Sequence, residues 1–168
     1  MTASLSLVGA VLRKDGIQID VEVPDGLPTI KCRSQQIQQV LLNLLTNARD
    51  GLNARYPGYD EGKIVRVSAE KVNRDGRTWI RLAVEDHGAG IPGFVLDRVF
   101  DPFFTTKPRD QGTGLGLSIS YGIVRDHQGT LTVESEPNVR TCFVVELPLD
   151  NGWDLSSPAR ETESKRRA

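Results

Sequence analysis

Gln39–Leu52 reads QVLLNLLTNARDGL, and two periodicities run through it and its flanks. Ile37, Val40, Leu41, Leu44, Ala48 and Leu52 recur at helical spacing and make an apolar stripe for a core. Asn43, Asn47 and Asp50 follow the same repeat on a second face. Asparagine is a mediocre helix former because its side chain competes for backbone hydrogen bonds. Two of them in mid-helix mark either a solvated polar face or a site. Ser34 is the expected N-cap, the helix spans about 35–53, and the Asn53–Gly58 turn ends it.

Upstream, residues 1–14 carry a short helical pattern, and Ile17–Val23 alternates as a strand with Ile17, Ile19, Val21 and Val23 on one face. Downstream, Ile64–Val72 and Trp79–Val84 alternate around Asn73-Arg74-Asp75-Gly76, which predicts a β-hairpin. The second of these strands opens into Glu85-Asp86-His87-Gly88-Ala89-Gly90-Ile91-Pro92. Residues 93–113 are too rich in Pro and Gly for a regular element. A loop of about 20 residues inside a domain is uncommon and usually functional, often a lid. A helix over about 115–127 runs through Leu117, Ile119, Ile123 and Val124, and strands follow near 130–135 and 141–147. This order predicts an α/β two-layer sandwich: a mixed sheet with helices on one face and a long lid.

The chain has 168 residues with 21 Lys+Arg against 22 Asp+Glu, a formal charge of −1. That balance argues against a broadly basic surface for nucleic acid or membrane. Apolar residues make up 38% and charged residues 26%, a mixture that folds around a core of one domain. No apolar run approaches the roughly 20 residues of a membrane span. Cys32 and Cys142 are too few for a disulfide framework, so a reduced, cytoplasmic setting is expected.

Three clusters point to a nucleotide. Gly112-Thr113-Gly114-Leu115-Gly116-Leu117-Ser118 opens a helix, where free N–H groups and the helix dipole favour phosphate. Alone, it reads equally as a tight turn. Asp86-x-Gly88-x-Gly90 follows a strand, and a carboxylate there can accept from the exocyclic amine that separates adenine from guanine. Alone, it reads equally as a turn aspartate between turn glycines. The amide oxygens of Asn43 and Asn47 suit a hard cation such as Mg²⁺.

Taken together, these segments resemble the ATP-binding catalytic domain of bacterial sensor histidine kinases, in the superfamily that also holds gyrase, the heat-shock chaperone and the mismatch-repair ATPases (the GHKL group, or Bergerat fold). QVLLNLLTNARDGL (39–52) is similar to the N box, and VEDHGAGIP (84–92) to the first glycine box. VFDPFFTTK (99–107) is similar to the F box, and GTGLGLSIS (112–120) to the second glycine box. The resemblance spans roughly Gly16–Leu149, in order and with ordinary spacing.

The resemblance implies ATP and Mg²⁺ as cofactors. It implies that Asp86 bonds the adenine amine, that Gly88 and Gly90 admit the base, and that Thr141 assists through an ordered water. It implies Asn47 as the metal ligand, with Asn43 supporting phosphate or metal contacts. Gly112, Thr113, Gly114, Leu115, Gly116 and Leu117 cradle the triphosphate, and Lys107 reaches the γ-phosphate, so that Asn43 and Lys107 are the catalytic candidates. Phe103 and Phe104 are expected to anchor the lid by packing, while Asp50 and Arg109 have no assigned role at this point. His87 and His127 lie outside the usual phospho-acceptor setting and are expected to be structural or incidental.

Residues 1–15 are then the end of a linker helix, 16–149 the catalytic domain and 150–168 a disordered tail. The implied partners are the kinase's own histidine-bearing dimerisation domain and a downstream response regulator. The whole kinase is expected to be a homodimer and this domain a monomer. Position 43 bears on the class of reaction. In the ATPase branches it carries a glutamate that activates the attacking group, and an asparagine amide cannot take a proton. Transfer to a distant histidine is therefore expected ahead of ATP hydrolysis, with a nucleotide-gated binding module as the alternative.

Overall fold

The computed structural model describes residues 9–107 and 112–150. Five strands form one sheet: β1 Gln18–Glu22, β2 Ile64–Arg74, β3 Arg77–Asp86, β4 Thr130–Glu136 and β5 Arg140–Pro148. Their order is β1-β2-β3-β5-β4, with β1 parallel to β2 and the other pairs antiparallel. Two helices, α1 Ser34–Arg55 and α2 Gly116–Asp126, pack against one another and against the sheet.

The core lies between these layers. Val40, Leu44, Leu45, Ala48 and Leu52 of α1 meet Val65 and Val67 of β2, Val84 of β3, and Phe143 and Val145 of β5. Leu44 and Leu52 are fully buried, and burial of such a side chain stabilises by about 1.5–3 kcal/mol. Leu45 joins the stripe read from the sequence, while Ile37 and Leu41 pack at its margin. The opposite face of the sheet is laced by charge: Glu146 accepts from Arg74 and Arg81, and Arg140 bridges Glu85 and Glu134.

Several local expectations are corrected. Ser34 is the first residue of α1 rather than its N-cap; Arg33 holds that position and no side chain caps the helix. The apolar face of β1 runs out of the core, with Ile17 buried but Val21 and Val23 exposed, because this strand lies at the sheet edge. Gly93–Arg98 forms a 3₁₀ helix inside the segment read as irregular. Ile119 is exposed on α2 although its spacing placed it inward. Phe103 is 75% exposed and so does not anchor the lid, whereas Phe104 is covered by the Arg98 guanidinium. Residues 9–14 are helical, with Leu12 in the core; the rest of the N-terminal reading and the tail from 151 on lie outside the described residues.

Candidate functional site

The C-terminal half of α1 faces the end of β3 and the loop that follows it. Asp86 closes β3 opposite Thr141 of β5. Asp86 is 3% exposed, and its Oδ1 accepts the Gly88 N–H at 2.9 Å. Burial pushes its pKa up to about 6, the Gly88 hydrogen bond opposing that rise. Among the described residues no Lys or Arg pairs with it. Thr141 is also buried, its Oγ1 2.8 Å from Ser135 Oγ. Ser135 Oγ accepts the Ile91 N–H as well and donates to the Arg140 carbonyl, which fixes the glycine loop to β4 and β5.

The close fit of this loop explains Gly88. A Cβ there would lie 2.4 Å from the Gly51 carbonyl carbon, so the loop rests directly on the backbone of α1. The Ala89 N–H donates to the Gly51 carbonyl at 3.0 Å. Gly90 sits against the Glu136–Pro137 turn, and Asn138 N–H donates to Ala89 O. Gly51 and Ser135 were not singled out from the sequence. A glycine inside a helix, which weakens it by about 0.5–1 kcal/mol, was the available signal for Gly51.

Asn43 reaches across to α2. Its Nδ2 donates to the Gly116 carbonyl at 2.9 Å and to Ser120 Oγ at 3.0 Å, while Oδ1 accepts from Gln39. Asn43 therefore holds the first turn of α2 in place. Leu115 occupies the N-cap of that helix, and no side chain caps it. The N–H groups of its first turn thus remain directed at the loop ahead of it. Thr113 Oγ1 accepts the Leu115 N–H at 3.4 Å, and Leu117 packs against the core.

The lid strap closes on the same region. Gly114 has a φ of +66°, and a Cβ there would lie 2.5 Å from the Phe103 carbonyl carbon; Phe103 N–H donates to Gly114 O. Gly112 lies beside Thr105 and Lys107. The Lys107 ammonium forms an ion pair with Asp50 and donates to Asn47 Oδ1 at 3.3 Å. Asn47, Asp50 and Lys107 are thus brought to one point. Arg109 lies outside the described residues.

The two histidines stand apart from this centre. His127 is fully buried; its ring bonds the Ile123 carbonyl at 2.7 Å and accepts the Arg33 N–H at 3.2 Å, which joins the start of α1 to the end of α2. His87 is exposed beside Glu85. A cleft of about 410 Å³ bounded by Arg55, Tyr56, Ile64, Arg66, His87 and Val139 opens at the C-terminal end of α1 and is lined by none of Asn43, Asn47, Asp50, Asp86 and Lys107.

Chemically, the arrangement offers a buried acceptor, an uncapped helix N-terminus and a cation held by amide and carboxylate oxygens. Among the described residues no three His, Cys, Asp or Glu side chains gather as a metal cluster. A divalent ion here would therefore take few protein oxygens, with phosphate and water completing its shell, as Mg²⁺ does. The ammonium already seated against Asn47 Oδ1 shows that these oxygens accommodate positive charge.

Comparison with known proteins is consistent with this chemistry. The family model described as histidine kinase-, DNA gyrase B-, and HSP90-like ATPase matches residues 32–151. The two-component sensor PprA of Pseudomonas aeruginosa is 40% identical over 146 residues, covering 87% of this chain and 15% of that protein. Sporulation kinase E of Bacillus subtilis is 33% identical over 149 residues, 89% of this chain and 19% of that protein. This chain thus spans less than a fifth of each relative's length. The solved catalytic domain of histidine kinase ThkA superposes with a TM-score of 0.72 at 30% identity, covering 89% of this chain and 90% of that one.

Proposed function

The chain belongs to the histidine kinase-, DNA gyrase B- and HSP90-like ATPase family, and from that premise we propose that it binds Mg·ATP and transfers the γ-phosphoryl group to a histidine on a separate dimerisation domain of a two-component sensor kinase. The observation that carries this reading is the buried Asp86 carboxyl at the end of β3, which no lysine or arginine neutralises among the described residues. A buried acceptor of that kind matches the exocyclic amine of adenine and repels the carbonyl that guanine carries in its place.

Each other residue then has a role. Thr141 and the Gly88–Gly90 loop form the walls around the base. The first-turn amides of α2, preceded by Gly112, Thr113, Gly114 and Leu115, hold the phosphates. Asn47 holds Mg²⁺, which when bound neutralises charge on the phosphate oxygens. Lys107 contacts the γ-phosphate. Asn43 acts by fixing Gly116 and Ser120, so it positions the phosphate-binding turn rather than touching the reacting atoms. Phosphoryl transfer asks mostly for positioning and electrostatics, which such a site supplies.

No carboxylate stands at position 43 to deprotonate water, which supports transfer over hydrolysis. The nucleophile and its base belong to the acceptor domain, and a response regulator is the onward acceptor. No described helix is long and apolar enough to cross a membrane; a cytoplasmic location and dimerisation through the acceptor domain belong to the same proposal. Calorimetric titration with Mg·ATP and Mg·GTP tests the base site. ATP is preferred, and Asp86→Asn lowers ATP affinity by about 10- to 100-fold, the value of a hydrogen bond to a charged group. Unchanged ATP affinity in that variant would refute the assignment.

A further inference from the structure

One ammonium group meets two oxygens on successive turns of α1. Lys107 Nζ pairs with the Asp50 carboxylate and donates to Asn47 Oδ1, and both side chains of the ion pair are about one-third exposed. The strap that carries the lysine is itself held: Lys107 N–H donates to Thr105 Oγ1 at 3.1 Å, and Gly112 packs against the aliphatic stem of Lys107. An amide oxygen and a carboxylate are the hard donors that Mg²⁺ takes, directly or through its waters. An ammonium and a divalent ion cannot share such a point, because like charges a few ångströms apart repel strongly.

We infer that Asn47 and Asp50 together form a cation seat, that Lys107 fills this seat in the nucleotide-free chain, and that the divalent ion arriving with nucleotide displaces it. The inference rests on the nucleotide-binding reading above and adds two things to it. Asp50 becomes a group of the metal site, to which the sequence assigned no role. Lys107 acquires two positions, on Asp50 when the site is empty and on the terminal phosphate when it is filled. The lysine thereby couples lid position to metal loading.

ADP is the probe that separates these terms, since it lacks the γ-phosphate that Lys107 would otherwise contact. Its affinity is measured by calorimetry in Mg²⁺ and in EDTA for the wild type, Lys107→Met and Asp50→Asn. Removing the competing ammonium tightens Mg·ADP binding about three- to fivefold, the size of a partly exposed ion pair released. Asp50→Asn lowers the ratio of affinity in Mg²⁺ to affinity in EDTA about tenfold, as loss of a metal-shell partner does. An unchanged Mg·ADP affinity in Lys107→Met, or an unchanged ratio in Asp50→Asn, overturns the seat. ADP binding in EDTA reads folding and base recognition separately: its absence in the wild type overturns the nucleotide reading itself. Should Asp50→Asn lose that binding too, the Lys107→Met result decides.

Discussion

Asp86 is 3% exposed, and burial pushes the pKa of its carboxyl from 3.8 up to about 6. The folded chain therefore holds this proton more tightly than the unfolded chain does. The sign follows from linkage: the contribution to stability is fully present below about pH 4 and is lost as pH rises through about 6. The loss is about 3 kcal/mol at neutral pH, at about 1.4 kcal/mol per pH unit. Asp86→Asn keeps an oxygen for the Gly88 N–H and removes the charge. Thermal unfolding at pH 7.5 should show the variant several degrees more stable than the wild type, with the gap narrowing at pH 5. A variant less stable at both pH values would contradict this account. The same substitution removes base recognition, so stability and binding move in opposite directions. The presence of this aspartate was legible in the Asp86-x-Gly88-x-Gly90 spacing, but its burial was not, since that depends on Gly51 approaching from a distant helix.

Among the elements, α1 does two jobs, and the sequence revealed them unequally. Its apolar stripe follows the 3.6-residue repeat, so the buried face was legible; Leu44→Ala should cost about 2–5 kcal/mol in urea unfolding. The polar face was legible as a face and not as a set of partners. Asn43 turns to α2, whereas Asn47 turns to the lid, and only the packing of three chain segments separates those destinations. The Ser34 cap failed because Arg33, whose N–H goes to His127, already holds the cap position. The loop after β3 lies directly on α1, so Gly88→Ala forces a Cβ against the Gly51 backbone. It should destabilise by about 1–3 kcal/mol, read as a lower urea midpoint with an unchanged slope. A wild-type midpoint would mean the loop and helix are free to separate.

For the molecule as a whole, the layered fold followed from the order of periodic segments, since hairpins and amphipathic helices have few ways to share a core. The edge strand β1 and the lid were less legible. An edge exposes apolar positions that alternation alone assigns inward, and a Pro/Gly-rich segment conceals a short 3₁₀ turn. The site lies on one side of this frame, where α1, α2 and the glycine loops meet around Asn47 and Asp86. The proposed reaction is transfer of phosphate to a histidine outside this domain. It is tested most directly with γ-labelled ATP and Mg²⁺, supplying the histidine-bearing helical domain in trans and following the label. Acid-labile, alkali-stable label is expected on that domain and none on this chain. Free phosphate without labelled protein would contradict it by making the chain a hydrolase, and tight ATP binding with no transfer would reduce it to a nucleotide-gated module.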